Sequence, residues 1–227
     1  MSLERPKAGE SILEVRQADS GAEAWNASAP AWIDWVNQDG DPGRIHVLDG
    51  PMIALAQATG AKTALDVGCG EGRFSRMLGA MGIRPTGLEP VPALLEHARS
   101  VQPDAAFIEG VAEAMPFPDE TFPLVVSYVS MVDIPDHRAA ISEIARVLKP
   151  GGTFLMANLC PHVTAISSDA REDDDRWKVG DDGKSEFTMD NYLKEFDYFI
   201  RWGEIRLRCY HRPLSSYMTA ALDAELN

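Results

Sequence analysis

The sequence predicts an α/β protein: a mainly parallel, twisted sheet carrying helices on both faces. Two observations predict it. From residue 63 onward, short apolar runs bounded by turn residues alternate with stretches of helical periodicity, a pattern that specifies parallel strands joined by crossover helices. The first run then enters its helix through a glycine-rich loop, Gly68-Cys69-Gly70-Glu71-Gly72, where missing side chains let backbone approach a ligand.

Residues 1–22 are polar and are expected to form a mobile arm, and residues 23–227 a single domain whose segment 23–60 is a helical cap. That cap opens on AWNASAPAWIDWV, with Trp25, Trp32 and Trp35, and passes through the turn-rich QDGDPG into an amphipathic helix over Ile45–Gly60, ending on the glycine that helices favour. Strands are expected at Thr63–Val67, Pro85–Glu89, Ala105–Glu109, Leu124–Val129 and Thr153–Asn158. Helices are expected at Arg73–Met81, Val91–Arg99 and Arg138–Leu148. Lys149-Pro150-Gly151-Gly152 reads as a sharp reversal, since proline cannot continue the helix. Residues 161–212 hold an acidic loop, Ser167–Gly183, read as a solvated face or a lid. They also hold a hairpin of Tyr192–Trp202 and Glu204–His211 around Gly203. Pro213–Glu225 reads as a closing helix.

Composition narrows the function. A formal net charge of −14 over 227 residues repels phosphate backbones, and without a basic patch it argues against a nucleic-acid partner. Three scattered cysteines and five histidines without ligand spacing argue against a disulfide framework and against a metal site. No run approaches the ~20 apolar residues that insertion into a membrane needs. The expectation is a reduced, cytoplasmic protein, monomer or homodimer, acting on a small molecule.

The glycine loop has the form Gly-x-Gly-x-Gly, preceded two residues earlier by Asp66. Nicotinamide-dependent oxidoreductases place a glycine at the sixth position, where this chain has Arg73, so that class is the weaker alternative. Glu89 ends the second strand, 17 residues after Gly72. A carboxylate there can accept both vicinal hydroxyls of a ribose; the other reading is a strand-end acid satisfied by solvent.

Four motifs, LDVGCGEGRFS, TGLEP, AEAMPFPDETF and IARVLKPGG, make residues 63–158 resemble the Rossmann-like class I S-adenosylmethionine-dependent methyltransferases. The branch they resemble is that of the ubiquinone and menaquinone C-methyltransferases and many small-molecule methyltransferases. The resemblance implies S-adenosylmethionine as cofactor and S-adenosylhomocysteine as product. It implies that Gly68, Cys69, Gly70 and Gly72 wrap the methionine portion, with Asp66 at its amino group. Glu89 would hold the ribose, Leu88 and Pro90 would lie against the adenine, and Val111, Ala112 and Glu113 would edge that ring. Ser127 and Tyr128 would flank the amino-acid end. Three departures stand out. Val111 replaces an adenine-binding aspartate, Pro123 replaces an aspartate before the fourth strand, and the final antiparallel strand is not evident, so that either the sequence is truncated or the Tyr192–His211 hairpin fills the gap. A protein that binds this cofactor without catalysis remains the second alternative.

Ligands of open α/β sheets sit beyond the carboxyl ends of the strands, which puts the acceptor over Tyr128 and Met131. His211 is the first candidate for a general base, because histidine titrates near neutrality; Tyr128 and Asp133 follow. Arg212 could pair an acidic substrate group or an internal acid. Trp32 and Trp35, three apart on one helix face, either pack a core or line the acceptor pocket. His137 is expected at a helix start on the surface.

Overall fold

The computed structural model describes residues 21–38, 40–165, 177–187, 189 and 191–226. Most of the arm (1–20) and the acidic centre of the loop (166–176) lie outside the described residues. Five strands build the main sheet: β1 (Thr63–Val67), β2 (Arg84–Glu89), β3 (Ala106–Glu109), β4 (Phe122–Tyr128) and β5 (Leu148–Ala157). They run in the order β3-β2-β1-β4-β5, and every neighbouring pair is parallel. The chain winds outward from β1 to β3, then restarts at β4 on the other side of β1. Between β1 and β4 the winding reverses, and a crevice opens there beyond the carboxyl ends of the strands.

The sheet is apolar on both faces because both are covered. On one face Leu65, Val67 and Val125 pack against Ile141 and Ile144 of α5 (His137–Val147) and against Tyr217 and Ala220 of α7 (Leu214–Asp223). On the other, Ala64, Leu124 and Val126 meet α2 (Asp49–Ala58) and α3 (Arg73–Ala80) through Met52, Ala56, Phe74 and Leu78. Helix α4 (Pro92–Val101) begins on a proline, whose fixed φ suits a first turn. Asp136 caps α5 by accepting from the Arg138 and Ala139 N–H groups at 3.1 and 3.0 Å.

Three local differences from expectation have physical causes. A π-helical turn, Arg44–Leu48, precedes α2, so the helix expected over Ile45–Gly60 comes in two pieces. Lys149–Gly152 lies within β5 as an irregularity instead of preceding the strand: Leu148 pairs Phe122 while Thr153 pairs Leu124. Gly151, at φ 73°, makes that local bend possible. His137 is buried, with Nε2 2.8 Å from Ser216 Oγ, not on the surface; burial first, with Arg212 and Arg138 nearby, lowers its pKa to about 4.

Above the sheet lies a roof. Helix α1 (Gly21–Gln38) packs on the hairpin β8 (Phe196–Trp202) and β9 (Ile205–His211), with Ala29, Trp32, Tyr198, Ile205 and Leu207 sharing one cluster. Ser28 Oγ donates to Arg206 O and accepts from Arg206 N, both at 3.0 Å. Among the described residues the hairpin pairs only with itself, and it joins the β4–α5 loop through Tyr210 N–H donating to Val132 O at 2.7 Å. It therefore does not supply a further strand to the main sheet. Among the described residues, α6 (Pro161–Thr164) and a small ladder of β6 (Trp177–Val179) with β7 (Ser185–Phe187) complete the chain.

Candidate active site

The crevice between β1 and β4, closed above by α1, is a cavity of about 220 Å³ that opens to solvent. The glycine loop forms its floor. Gly68 and Cys69 N–H groups donate to Leu88 O at 2.8 and 3.1 Å, which fastens the loop to β2. Gly68 has φ 68°, and a Cβ added there would stand 2.5 Å from Ser130 Cβ. Gly70 is different: at φ 56° its Cβ position meets nothing within 4 Å, so it offers bare backbone to the cavity.

Acids surround that floor. Glu89 Oε2 accepts from Gly70 N–H at 2.9 Å and Oε1 from Val91 N–H at 3.0 Å. A carboxylate has about four lone-pair positions, so two remain for another donor. Burial pushes the Glu89 pKa up to about 7, with the two N–H donors opposing. Asp66 accepts from Ser75 Oγ at 2.7 Å, and its pKa stands at about 6, burial again being the largest cause. Asp133, on the wall, is raised to about 7 by burial against the opposing thiol of Cys209 and cation of Arg44. Glu71 is buried and accepts from Trp32 Nε1 at 3.3 Å.

A second group adjoins them at the end of β4. Asp49 accepts from Arg73 through both Nη atoms, at 2.9 and 2.5 Å, and from Tyr128 OH at 2.6 Å. Burial and then the Asp49 hydrogen bond hold the Tyr128 phenol above its usual pKa, which opposes the phenolate form a base would need. The Arg44 guanidinium lies 5.4 Å from the Trp32 ring and 5.5 Å from that of Tyr128. Among these, Arg44, Asp49, Arg73 and the acid Glu71 were not anticipated. Glu71 and Arg73 lay inside the glycine motif, and Arg44 and Asp49 needed knowledge of how the Arg44–Leu48 turn folds back on β4.

The cavity wall brings together most residues singled out from sequence. Asp66, Gly68, Cys69 and Gly70 form one edge, and Leu88, Glu89 and Pro90 the next. Val111, Ala112 and Glu113 follow, with Tyr128 and Trp32 opposite. Trp32 does both things expected of it, packing in the α1–hairpin cluster and lining the cavity.

Six residues lie elsewhere, Trp35 among them, packed in the α1–hairpin cluster. Gly72 (φ 81°) is the N-cap of α3, its Cβ position 3.1 Å from Ala98 Cβ and Phe107 Cζ, so it serves helix packing. Ser127 is buried behind Ser130, Oγ to Oγ 2.8 Å. Met131 is fully buried in the sheet's core. Arg212 donates to Met131, Ile134 and Pro135 carbonyls at 3.0, 2.6 and 2.8 Å, so its charge secures the β4–α5 loop. His211, expected as a base, is fully buried outside the cavity wall. Its Nδ1 is 2.7 Å from Thr164 Oγ1 and its Nε2 3.0 Å from Tyr192 O; enclosure and two partners occupy the ring that was to take a proton.

The comparisons with known proteins bear on this geometry. Residues 65–156 match the family described as methyltransferase domain. The matched segment makes up less than half of the chain. It spans β1 to β5 of the sheet and hence the floor of the cavity. A malonyl-[acyl-carrier protein] O-methyltransferase of Serratia marcescens is 33% identical over 108 residues, covering 48% of this chain and 42% of that protein. An uncharacterized methyltransferase of Synechocystis is 35% identical over 122 residues, covering 53% and 56%. The chain thus spans about half the length of the curated relatives it matches. In structure, an S-adenosylmethionine dependent methyltransferase from Mesorhizobium loti superposes with a TM-score of 0.66 at 22% identity, over 77% of this chain and 78% of that one. The PH0226 protein of Pyrococcus horikoshii gives 0.59 at 22% identity over 82% of each. The fold is that of the class I methyltransferases.

Proposed function

We propose that this chain is an S-adenosylmethionine-dependent methyltransferase that moves a methyl group to an O, N or C atom of a small-molecule acceptor. The observation that carries the reading is the pairing of bare backbone at Gly70 with the Glu89 carboxylate in one cavity wall, within the segment that matches the methyltransferase domain. Both fit the cofactor. A buried carboxylate with spare acceptor positions suits a ribose diol, and an open glycine suits an extended amino-acid chain lying on the loop. Glu89 holds the diol on this reading, Gly68 to Gly70 and Asp66 the methionine portion. The half-exposed Val111 offers the adenine an apolar edge and no side-chain acceptor. The wider resemblance to quinone C-methyltransferases rests on the four sequence motifs.

S-adenosylmethionine supplies an activated methyl group on a sulfonium, open to in-line displacement. The chain's own contribution is then to position and to exclude water. Trp25, Trp32, Phe74 and Tyr128 line the cavity with aromatic surface against which a bound molecule is shielded from water. An acceptor that must lose a proton has Asp133 in the same wall, its carboxyl held near neutrality by burial. Calorimetry with S-adenosylhomocysteine and with NAD, followed by methyl-label transfer from S-adenosylmethionine to a library of small acceptors, tests the reading. Binding of S-adenosylhomocysteine with labelled product is the expected result. Stabilisation by NAD alone would overturn the cofactor; binding without transfer to any acceptor would leave a binding protein in place of the enzyme.

A further inference from the structure

The cavity wall carries more acid than base. Asp66, Glu71, Glu89, Glu113 and Asp133 line it. The two guanidinium groups on the same wall are each met by an acid outside those five, Arg44 by Asp41 at 3.4 Å and Arg73 by Asp49. On the proposed reading the cofactor takes Asp66 and Glu89, and Glu113 lies at the adenine edge. Glu71 is tied to Trp32. That leaves Asp133 to meet the acceptor.

Asp133 stands where the β4–α5 loop passes under α1. Its N–H donates to Ser130 O at 2.9 Å, and Gly21 of α1 packs on it, a Cβ there standing 3.6 Å from Asp133 O. Two donors hold the carboxyl: the Cys209 thiol of β9 at 3.3 Å, and the Trp25 indole of α1. Both are neutral, so they orient the carboxylate without cancelling its charge, and two of its roughly four lone-pair positions remain. Charged groups reach it from three further sides, Arg44 before α2, Arg212 after β9 and Glu89 of β2. Arg212 is already committed to three carbonyls. Burial outweighs the opposing thiol, indole and cations and holds the Asp133 pKa at about 7.

We propose that the acceptor is an amine on an apolar body, entering as an ammonium group that Asp133 binds and deprotonates. This rests on the methyltransferase reading and names the acceptor class within it. Charge separates the candidates. A carboxylate acceptor is repelled by the acidic wall, and a phenol must become an anion beside it. An ammonium is attracted as it arrives, and the rings of Trp25 and Trp32 on the wall add cation–π attraction. With a pKa of about 8–10, it also lies within reach of a base near neutrality. Its proton passes to the Asp133 carboxylate, and the freed nitrogen lone pair forms the N–C bond. The S–C bond breaks with its electron pair left on sulfur. The product leaves as a methylated ammonium, and Asp133 gives its proton to solvent.

Calorimetry on protein saturated with S-adenosylhomocysteine compares 2-phenylethylamine with 2-phenylethanol, 4-ethylphenol and 3-phenylpropanoate. The amine should bind at least about tenfold tighter than the other three, on the scale of a charged hydrogen bond. Asp133→Asn, which keeps the shape and removes the charge, should erase that preference and leave affinity for S-adenosylhomocysteine as in the wild type, with a melting curve to check its fold. Cys209→Ala, which takes a donor from the carboxylate, should move the pH midpoint of amine binding upward, and Cys209→Ser should restore it. Should Asp133→Asn not fold, the Cys209 pair carries the test, and an unmoved midpoint overturns the proposal. Equal binding of the four probes, or binding of none, overturns it as well, as does an amine preference that survives in Asp133→Asn. Methyl label from S-adenosylmethionine found on hydroxyl or carboxyl acceptors and on no amine overturns the amine while the methyltransferase reading stands. If S-adenosylhomocysteine itself does not bind, that reading fails, and the four probes on the unloaded protein still decide whether Asp133 takes a cation.

Discussion

The indole N–H of Trp32 donates to Glu71 Oε2 across 3.3 Å, tying the roof helix α1 to the glycine-rich loop beneath it. Glu71 is buried, and its other oxygen has no hydrogen-bond partner among the described residues, Arg76 standing 4.0 Å away. A buried carboxylate deprived of a donor is costly. Trp32→Phe keeps an aromatic ring against Trp25 and Trp35 but removes that donor. It should cost about 1–3 kcal/mol and lower the melting temperature by roughly 2–10 °C. An unchanged melting temperature would mean that Glu71 finds its donor elsewhere.

Gly68 and Gly70 should respond differently to alanine. Both sit at positive φ, but only at Gly68 does the new methyl meet a neighbour, Ser130 Cβ at 2.5 Å. Gly70→Ala should fold with the backbone cost alone, about 1–2 kcal/mol, and lose affinity for S-adenosylhomocysteine because its methyl enters the cavity. Gly68→Ala should lose more stability, since Ser130 also anchors β1 by donating to Val67 O at 2.6 Å. Denaturant titration of both variants ranks them, and the reverse order would contradict the packing.

Glu89 makes binding and stability depend on pH in opposite directions. Its folded-state pKa, about 7, lies above its ordinary 4.5 because of burial. Its contribution to stability is therefore fully present below pH 4.5 and is lost as pH rises through 7, a change of about 3 kcal/mol. Ribose hydroxyls prefer the ionised form, so affinity for S-adenosylhomocysteine should rise between pH 6 and pH 8, with proton release on binding at pH 6.5. Glu89→Gln should make both slopes shallower, the remaining loss of stability coming from Asp66 and Asp133, which burial also raises. Calorimetry in buffers of different ionisation enthalpy reads the proton directly, and equal heats would take Glu89 out of the site.

For His211 the expectation is a structural loss. The ring is fully buried between Thr164 and Tyr192, and His211→Ala leaves a cavity and takes a partner from the Tyr192 carbonyl, while Thr164 Oγ1 keeps its bond to Pro161 O. A cost of about 2–5 kcal/mol should appear as a lower melting temperature, with turnover per folded molecule retained. Loss of turnover at unchanged stability would return the ring to the chemistry.

Much of this was legible before any coordinates. The Thr63–Val67 strand carries the same boundaries in sequence and structure, because its apolar run is buried on both faces and bounded by loops. The glycine spacing and Glu89 located the floor of the cavity, because backbone needs leave a local signature. What sequence could not carry was distance between remote segments. His211 and Arg212 resemble site residues by chemical type, yet β9 turns them toward Tyr192 and the Met131–Pro135 carbonyls. Arg44 and Asp49 stand in an undistinguished stretch, and only the π-helical turn brings them to Tyr128. Pairing within the hairpin was legible; its docking on α1 was not, since the hairpin's alternation says which face is apolar but not what covers it.

The bond pair between Ser28 and Arg206 joins positions 178 residues apart. A ribosome adding about 5–20 residues per second needs roughly 9 to 36 seconds to cover that span. Through that interval the tryptophan face of α1 has been made while its partner strands have not. The sheet and the glycine loop can close early, from contacts nearer in sequence, but the roof must wait for β9. A nascent chain stalled before residue 205 would hold the floor of a binding cavity without its cover, and would expose three indoles to whatever apolar surface it met first.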